Sequence, residues 1–191
     1  AMHNFHCHTF LSDGVLSPIE LLRRCEVLGY QTVAIADHVG AAMLEFVIDQ
    51  VTRDCDLANA HMGLFAIPAV ELTHVPPAAI AGLARRSKQA GARLVVVHGE
   101  TPVEPVAPGT NAAAVACPDV DILAHPGLLS LEEAAAAKEN RVFVEITARG
   151  GHSLANGHVV PVSYTHLRAH ETPEHLVCRL LLEKKKNITI D

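Results

Sequence analysis

Six short apolar runs recur along the chain, and each ends at or near a side chain able to bind a metal. The runs are His3–His8, Thr32–Asp37, Leu64–Leu72, Arg93–His98, Val120–His125 and Arg141–Thr147. Aliphatic and β-branched residues occupy both faces of each, which suits strands buried in a parallel sheet. Helical patterns separate the runs. Ser17-Pro18-Ile19-Glu20 reads as a capping box with proline at the first helical position, and Gly29 stands where that helix would close. Ser130-Leu131-Glu132-Glu133 is a second capping box, and Pro76-Pro77 opens a segment that can run to Gly91. Such alternation specifies an α/β domain.

The chemistry lies at the ends of the runs. The first delivers His6 and His8, the second Asp37-His38, the third Glu71, the fourth His98, the fifth His125 and the sixth Glu145. A lone histidine at a strand end is an ordinary core residue. A carboxylate buried beside an apolar run is costly unless it is paired or ligated. Repetition at successive strand ends points to a metal centre. In an α/β barrel those ends meet at one mouth, so the expectation is a barrel-like arrangement rather than an open doubly wound sheet. Mixed imidazole and carboxylate donors without thiolate suit Zn, Mn or Fe. The donors exceed what one ion needs, so two or three divalent metal ions sharing a carboxylate such as Glu71 are expected. Such ions lower the pKa of a water and stabilise a leaving oxygen, which fits hydrolysis of a phosphate ester.

Composition narrows the alternatives. The chain has 191 residues, 49% of them hydrophobic, and a formal net charge of −6. That size suits one domain. The negative balance disfavours bulk electrostatic binding to nucleic acid. No apolar run is long enough for a membrane span. Five scattered cysteines show no zinc-ribbon or disulfide spacing, so the expected setting is a reducing cytoplasm. Neither a nucleophile elbow nor a P-loop nor a dinucleotide fingerprint is present.

HCHTFLSDG, IADHVG, VELTH, VVVHGE, DILAHPG and VFVEIT, in this order, resemble the polymerase and histidinol phosphatase (PHP) domain family over residues 2–161. The resemblance implies a distorted (β/α)7 TIM-like barrel with a metal cluster at its mouth, here truncated to about six of seven strands. It implies phosphoesterase chemistry of the histidinol-phosphatase type, by attack of metal-bound hydroxide on a small phosphorylated substrate or a nucleic-acid end. By position it assigns His6, His8, Asp13, His38, Glu71, His98 and His125 as metal ligands, with Asp37, Glu71 and His98 in the catalytic machinery. Asp37 is expected to orient His38 or to cap the following helix. Arg149 and His152, in the Gly-rich loop after the sixth run, are expected to take substrate phosphate. Glu145 reads as a nearby carboxylate rather than a ligand, and His74 and Glu100 as solvated loop residues.

The chain departs from that family after Glu145, where no Asp-x-His pair follows. Residues 162–186, VSYTHLRAHETPEHLVCRLLLEKKK, resemble translated sequencing-adapter DNA running into poly-A. The expected division is therefore a domain over 1–161 and a non-native tail over 162–191, with His166, His170, His175 and Cys178 assigned to no site. On that reading the polypeptide folds poorly or binds fewer metals than an intact relative. Two other functions compete. An amidohydrolase also begins with His-x-His but commonly carries a strand-end lysine as a bridging carbamate, whereas Lys88 and Lys138 fall in helical patterns. A non-catalytic metal- or partner-binding module is the other.

Overall fold

All six apolar runs form strands, and they lie side by side in chain order in one all-parallel sheet. The structure, a computed structural model, describes residues 2–167. The elements are β1 (Met2–Cys7), α1 (Pro18–Val27), β2 (Tyr30–Val39), α2 (Leu44–His61), β3 (Phe65–Leu72) and α3 (Ile80–Gln89). They continue as β4 (Leu94–His98), α4 (Thr110–Val115), β5 (Ile122–Ala124), α5 (Leu131–Glu139), β6 (Phe143–Val144) and α6 (Asn156–Leu167). Residues 162–167 continue α6, and the remainder of the segment read as foreign, with His170, His175 and Cys178, lies outside the described residues.

Local chemistry sets the helix ends. Ser17 Oγ accepts from Glu20 N–H at 3.3 Å, but the reciprocal half of that box is missing because Glu20 binds Arg24. At α5 both halves of the box form between Ser130 and Glu133. Pro76-Pro77 opens a 3₁₀ turn, Pro77–Ala79, before α3 begins. The longest helix, α2, buries Leu44, Val47, Ile48, Val51, Cys55 and Ala58, the one-sided stripe of an amphipathic helix.

The two faces of the sheet differ. Val33, Ile35, Val70, Leu72, Val95, Val97 and Leu123 point to the helices and join them in the main core. The opposite face is built from Ala34, Ala36, Ala69, Val96, Ile122 and Ala124, with Phe5, Ile67 and Leu94 packed against it. Small side chains there allow a parallel sheet to curl tightly, and the curl brings the strand ends together. Pairing of β2 with β3 is regular over Thr32–Val39. Pairing of β1 with β2 is not: Asn4 faces Val33 and Cys7 faces Ile35, so two residues of β1 oppose Ala34 alone. This bulge separates the face of Asn4 from that of His6 and His8.

The expected (β/α)7 TIM-like barrel of the PHP type is not what forms. The sheet is a six-stranded half-barrel, open between β1 and β6. Closure needs backbone pairing between the first and last strands, and among the described residues none links them. β6 contributes two residues, each paired to β5. Among the described residues the two edges meet through side chains, with His6 Nδ1 lying 2.5 Å from Glu145 Oε2. Nor does the strand order reverse as in the doubly wound sheet that would scatter the strand-end residues. Unbroken neighbour order, with no reversal of direction, lets one curled sheet gather them at a single rim.

Candidate functional site

Alternation along the strands decides which side chains reach the rim. His38 follows Ala36, Glu71 follows Ala69 and His98 follows Val96, each two residues on along the concave face. His38 pairs in register with Glu71, and His98 with Ala124. His125 breaks the pattern. Strict alternation after Ala124 would turn it toward the helices, but its backbone adopts φ 33°, which swings the ring back to the rim. A positive φ in a histidine is uncommon and carries strain.

Glu71 is the hub. It is fully buried. Its Oε2 lies 2.9 Å from His38 Nδ1, 3.0 Å from His6 Nε2 and 3.4 Å from His8 Nε2. Its Oε1 has no hydrogen-bond partner and faces His125 Nε2 at 3.7 Å. Three sets of donor atoms lie close enough to hold an ion: His6, His8 and Glu71; His8, Asp13 and His38; and His98, His125 and His152. Within each set the donor atoms lie within 4.8 Å of one another. All seven residues expected as ligands therefore meet at one rim.

Charge is distributed unevenly over these groups. Burial works to lower the pKa of His6, but the charges of Glu71 and Glu145 outweigh it and hold the imidazole well above its usual range. Burial would raise Glu71, yet His6 and His38 bring it well below the usual carboxylate range. Glu145 is likewise brought down to about 2 by His6 and His125 against burial. Burial and the neighbouring charge of His6 lower His8 to about 3, and burial lowers His98 to about 4. His8 and His98 are thus neutral imidazoles near pH 7, the form that ligates.

The remaining expected residues take other places. The buried Asp37 does not orient His38. Its carboxylate accepts from the Thr9 amide, the Thr9 hydroxyl and the Ser12 hydroxyl, at 2.6, 2.7 and 2.6 Å, and so fixes the loop after β1. Thr73 is the hydroxyl beside His38 Nδ1, at 2.6 Å. Arg149 is half exposed and pairs with Asp13 at 3.2 Å. A cavity of about 530 Å³ beside β1 has His6, His8, Asp13, His125, Glu145 and Arg149 in its wall. His152 is buried, with its ring centroid 4.6 Å from that of His125. Glu100 accepts from the Asn111 amide at 2.9 Å and serves the start of α4.

One residue was missed altogether. Glu104, in the loop after β4, lies 3.0 Å from His74 Nε2, 3.3 Å from His98 Nε2 and 3.2 Å from His152 Nε2. It draws His74 to the rim too, where a free surface loop was expected. Loop residues carry no periodic signal; the only cue was a glutamate six residues beyond a strand-end histidine.

The donor set fits divalent ions. His8 Nδ1, Glu71 Oε1, both ring nitrogens of His125 and His152 Nδ1 are buried without a hydrogen-bond partner. Such groups are costly in a protein interior unless something satisfies them. Lysine is absent from the rim among the described residues: Lys88 binds Asp121 from α3, and Lys138 lies on α5. The thiols of Cys7, Cys25, Cys55 and Cys117 are free and take no part in the three donor sets. No helix among the described residues is long and apolar enough to cross a membrane.

Comparison with known proteins gives two matches. The uncharacterized protein MJ1295 of Methanocaldococcus jannaschii is 46% identical over 161 residues, spanning 84% of this chain and 74% of that protein. A 5'-3' exoribonuclease of Haemophilus influenzae is 32% identical over 71 residues, which is 37% of this chain and 23% of that enzyme. No protein-family model matches the chain.

Proposed function

The chain belongs to the same family as the uncharacterized archaeal protein MJ1295, and from the rim geometry we infer that it is a metal-dependent phosphoesterase. One observation carries the reading. A fully buried carboxylate, Glu71, has three imidazoles on one oxygen and an unpartnered second oxygen facing a fourth. That is the arrangement of a bridging ligand rather than of a core ion pair. Divalent ions held there would supply an activated water at neutral pH and neutralise charge on a phosphoryl group.

The chain's own residues supply the rest. His8 and His98 stay neutral near pH 7, so each keeps one ring nitrogen free of a proton and able to take a cation. Asp37 holds the loop bearing Asp13 against β2 through Thr9 and Ser12. Arg149 places a guanidinium in the wall of the cavity, suited to bidentate contact with phosphate. The PHP-type motifs support a small phosphorylated substrate, and the partial likeness to a 5'-3' exoribonuclease supports a nucleic-acid end as a second member of the class. Among the described residues no lysine reaches the rim, so none there offers the bridging carbamate that would favour an amidohydrolase.

The test is hydrolysis of p-nitrophenyl phosphate, bis-p-nitrophenyl phosphate and a 5'-phosphorylated oligonucleotide, with Mn²⁺, Zn²⁺ or Co²⁺ supplied and metal content measured alongside. Turnover that requires metal and disappears in Glu71→Gln is expected. Folded, metal-loaded protein without turnover on any of the three would leave the non-catalytic metal-binding module as the reading.

A further inference from the structure

The structure separates His152 from the substrate role that its Gly-rich loop suggested. The side chain does not face the open cavity beside β1; it is buried against His98 and His125. One nitrogen from each of the three rings lies within 4.8 Å of one from each of the others. We propose that His152 is a metal ligand, and that with His98 and His125 it forms a three-imidazole site for a Zn²⁺-class ion, richer in nitrogen donors than the sets at His6, His8 and Glu71 and at His8, Asp13 and His38, and bordered by the free Oε1 of Glu71. The proposal rests on the reading of the rim as a metal centre, but not on its catalysing any reaction.

Hydrogen bonding selects the nitrogens. His98 Nδ1 lies 3.2 Å from the Gly99 carbonyl, so that nitrogen carries the proton and Nε2 is left to ligate. His152 Nε2 lies 3.2 Å from Glu104 Oε1, and its Nδ1 is buried without a partner. A carboxylate behind a ligating imidazole is the usual way to fix its tautomer and aim it. Both ring nitrogens of His125 are also buried and unpartnered. Three ring donors, with Glu104 behind His152, are the donor type of three-histidine sites that keep a fourth position open. Neutral imidazoles suit Zn²⁺ and Co²⁺, whereas Mn²⁺ prefers oxygen donors.

The donor also belongs to a loop. Gly151, with φ 84°, turns the chain into the 3₁₀ turn His152–Ala155. Ion binding at His152 therefore fixes the segment that also carries Arg149.

Equilibrium dialysis of the full chain against Mn²⁺ or Co²⁺, with bound metal measured by mass spectrometry, tests this. Wild type is expected to hold one more equivalent of Co²⁺ than of Mn²⁺, with visible absorption of tetrahedral Co²⁺. His152→Ala should lose that one equivalent and that band while keeping the Mn²⁺ stoichiometry, and Glu104→Gln should weaken the site about 10–100-fold. Retained Mn²⁺ binding in His152→Ala guards against misfolding; Glu104→Gln serves alone if that variant fails to fold. Unchanged Co²⁺ stoichiometry and spectrum in folded His152→Ala would overturn the proposal. An inactive wild type that still shows the extra equivalent would leave it standing while the phosphoesterase reading fell.

Discussion

Glu71 and His6 set the protonation of the rim. In the metal-free chain Glu71 and Glu145 keep His6 protonated. A cation at His6, His8 and Glu71 must displace that proton. Calorimetry at pH 7 in buffers of different ionisation enthalpy should therefore report about one proton released per ion bound there. The same groups shape the acid stability of the metal-free form. Glu145 has a folded pKa of about 2 against an ordinary 4.5, so its contribution is complete above 4.5 and is lost as pH falls toward 2. His8, at about 3 against 6.5, favours the unfolded state increasingly as pH drops below 6.5. His6 has the opposite sign: its contribution is complete below 6.5 and fades as pH rises through its raised value. Urea midpoints measured in chelator should fall from pH 6.5 to 3, and Glu145→Gln should flatten the part below 4.5. The strand-end donors were legible because a charged or imidazole side chain ending an apolar run stands out. Glu104 was not, since its role comes from a loop folding back. Asp37 was assigned the wrong partner although adjacent strand residues point to opposite faces, which already turns its carboxylate away from His38.

At the level of elements, the loops after β4 and β5 hold His98 and His125 by packing against each other. The Gly99 amide donates to the Ala124 carbonyl at 2.9 Å. A Cβ on Gly99 would meet that oxygen at 2.4 Å and the Pro126 Cα at 2.7 Å. Gly99→Ala should cost about 1–3 kcal/mol as an overpacking change and weaken metal binding with it; thermal melts with a metal titration check both together. All six strands were legible from their apolar runs, although β6 is only Phe143–Val144 where Arg141–Thr147 had been expected. The bulge in β1 was not legible. It depends on register against β2, a relation between segments that neither one displays alone.

Across the molecule, the half-barrel stacks its metal-competent groups on one rim and its helices on the other face of the sheet. A ligand that binds the folded rim and not the unfolded chain stabilises by mass action, about 2.7 kcal/mol at a hundred times its dissociation constant. Zn²⁺ should therefore raise the melting temperature and chelator should return it, with the shift growing as free metal rises. The barrel prediction failed at this scale because strand count and spacing do not say whether a sheet's two edges will pair. Those edges are bridged instead by two ionic clasps: His6 to Glu145 inside, and Asp13 to Arg149 at the surface. The outer one is exposed, so it is weakly held and easily exchanged. An incoming anion that takes the guanidinium sets the Asp13 carboxylate loose beside His8 and His38. With divalent ions at the rim, arrival of one negative group at Arg149 would leave the Asp13 carboxylate free to turn toward them.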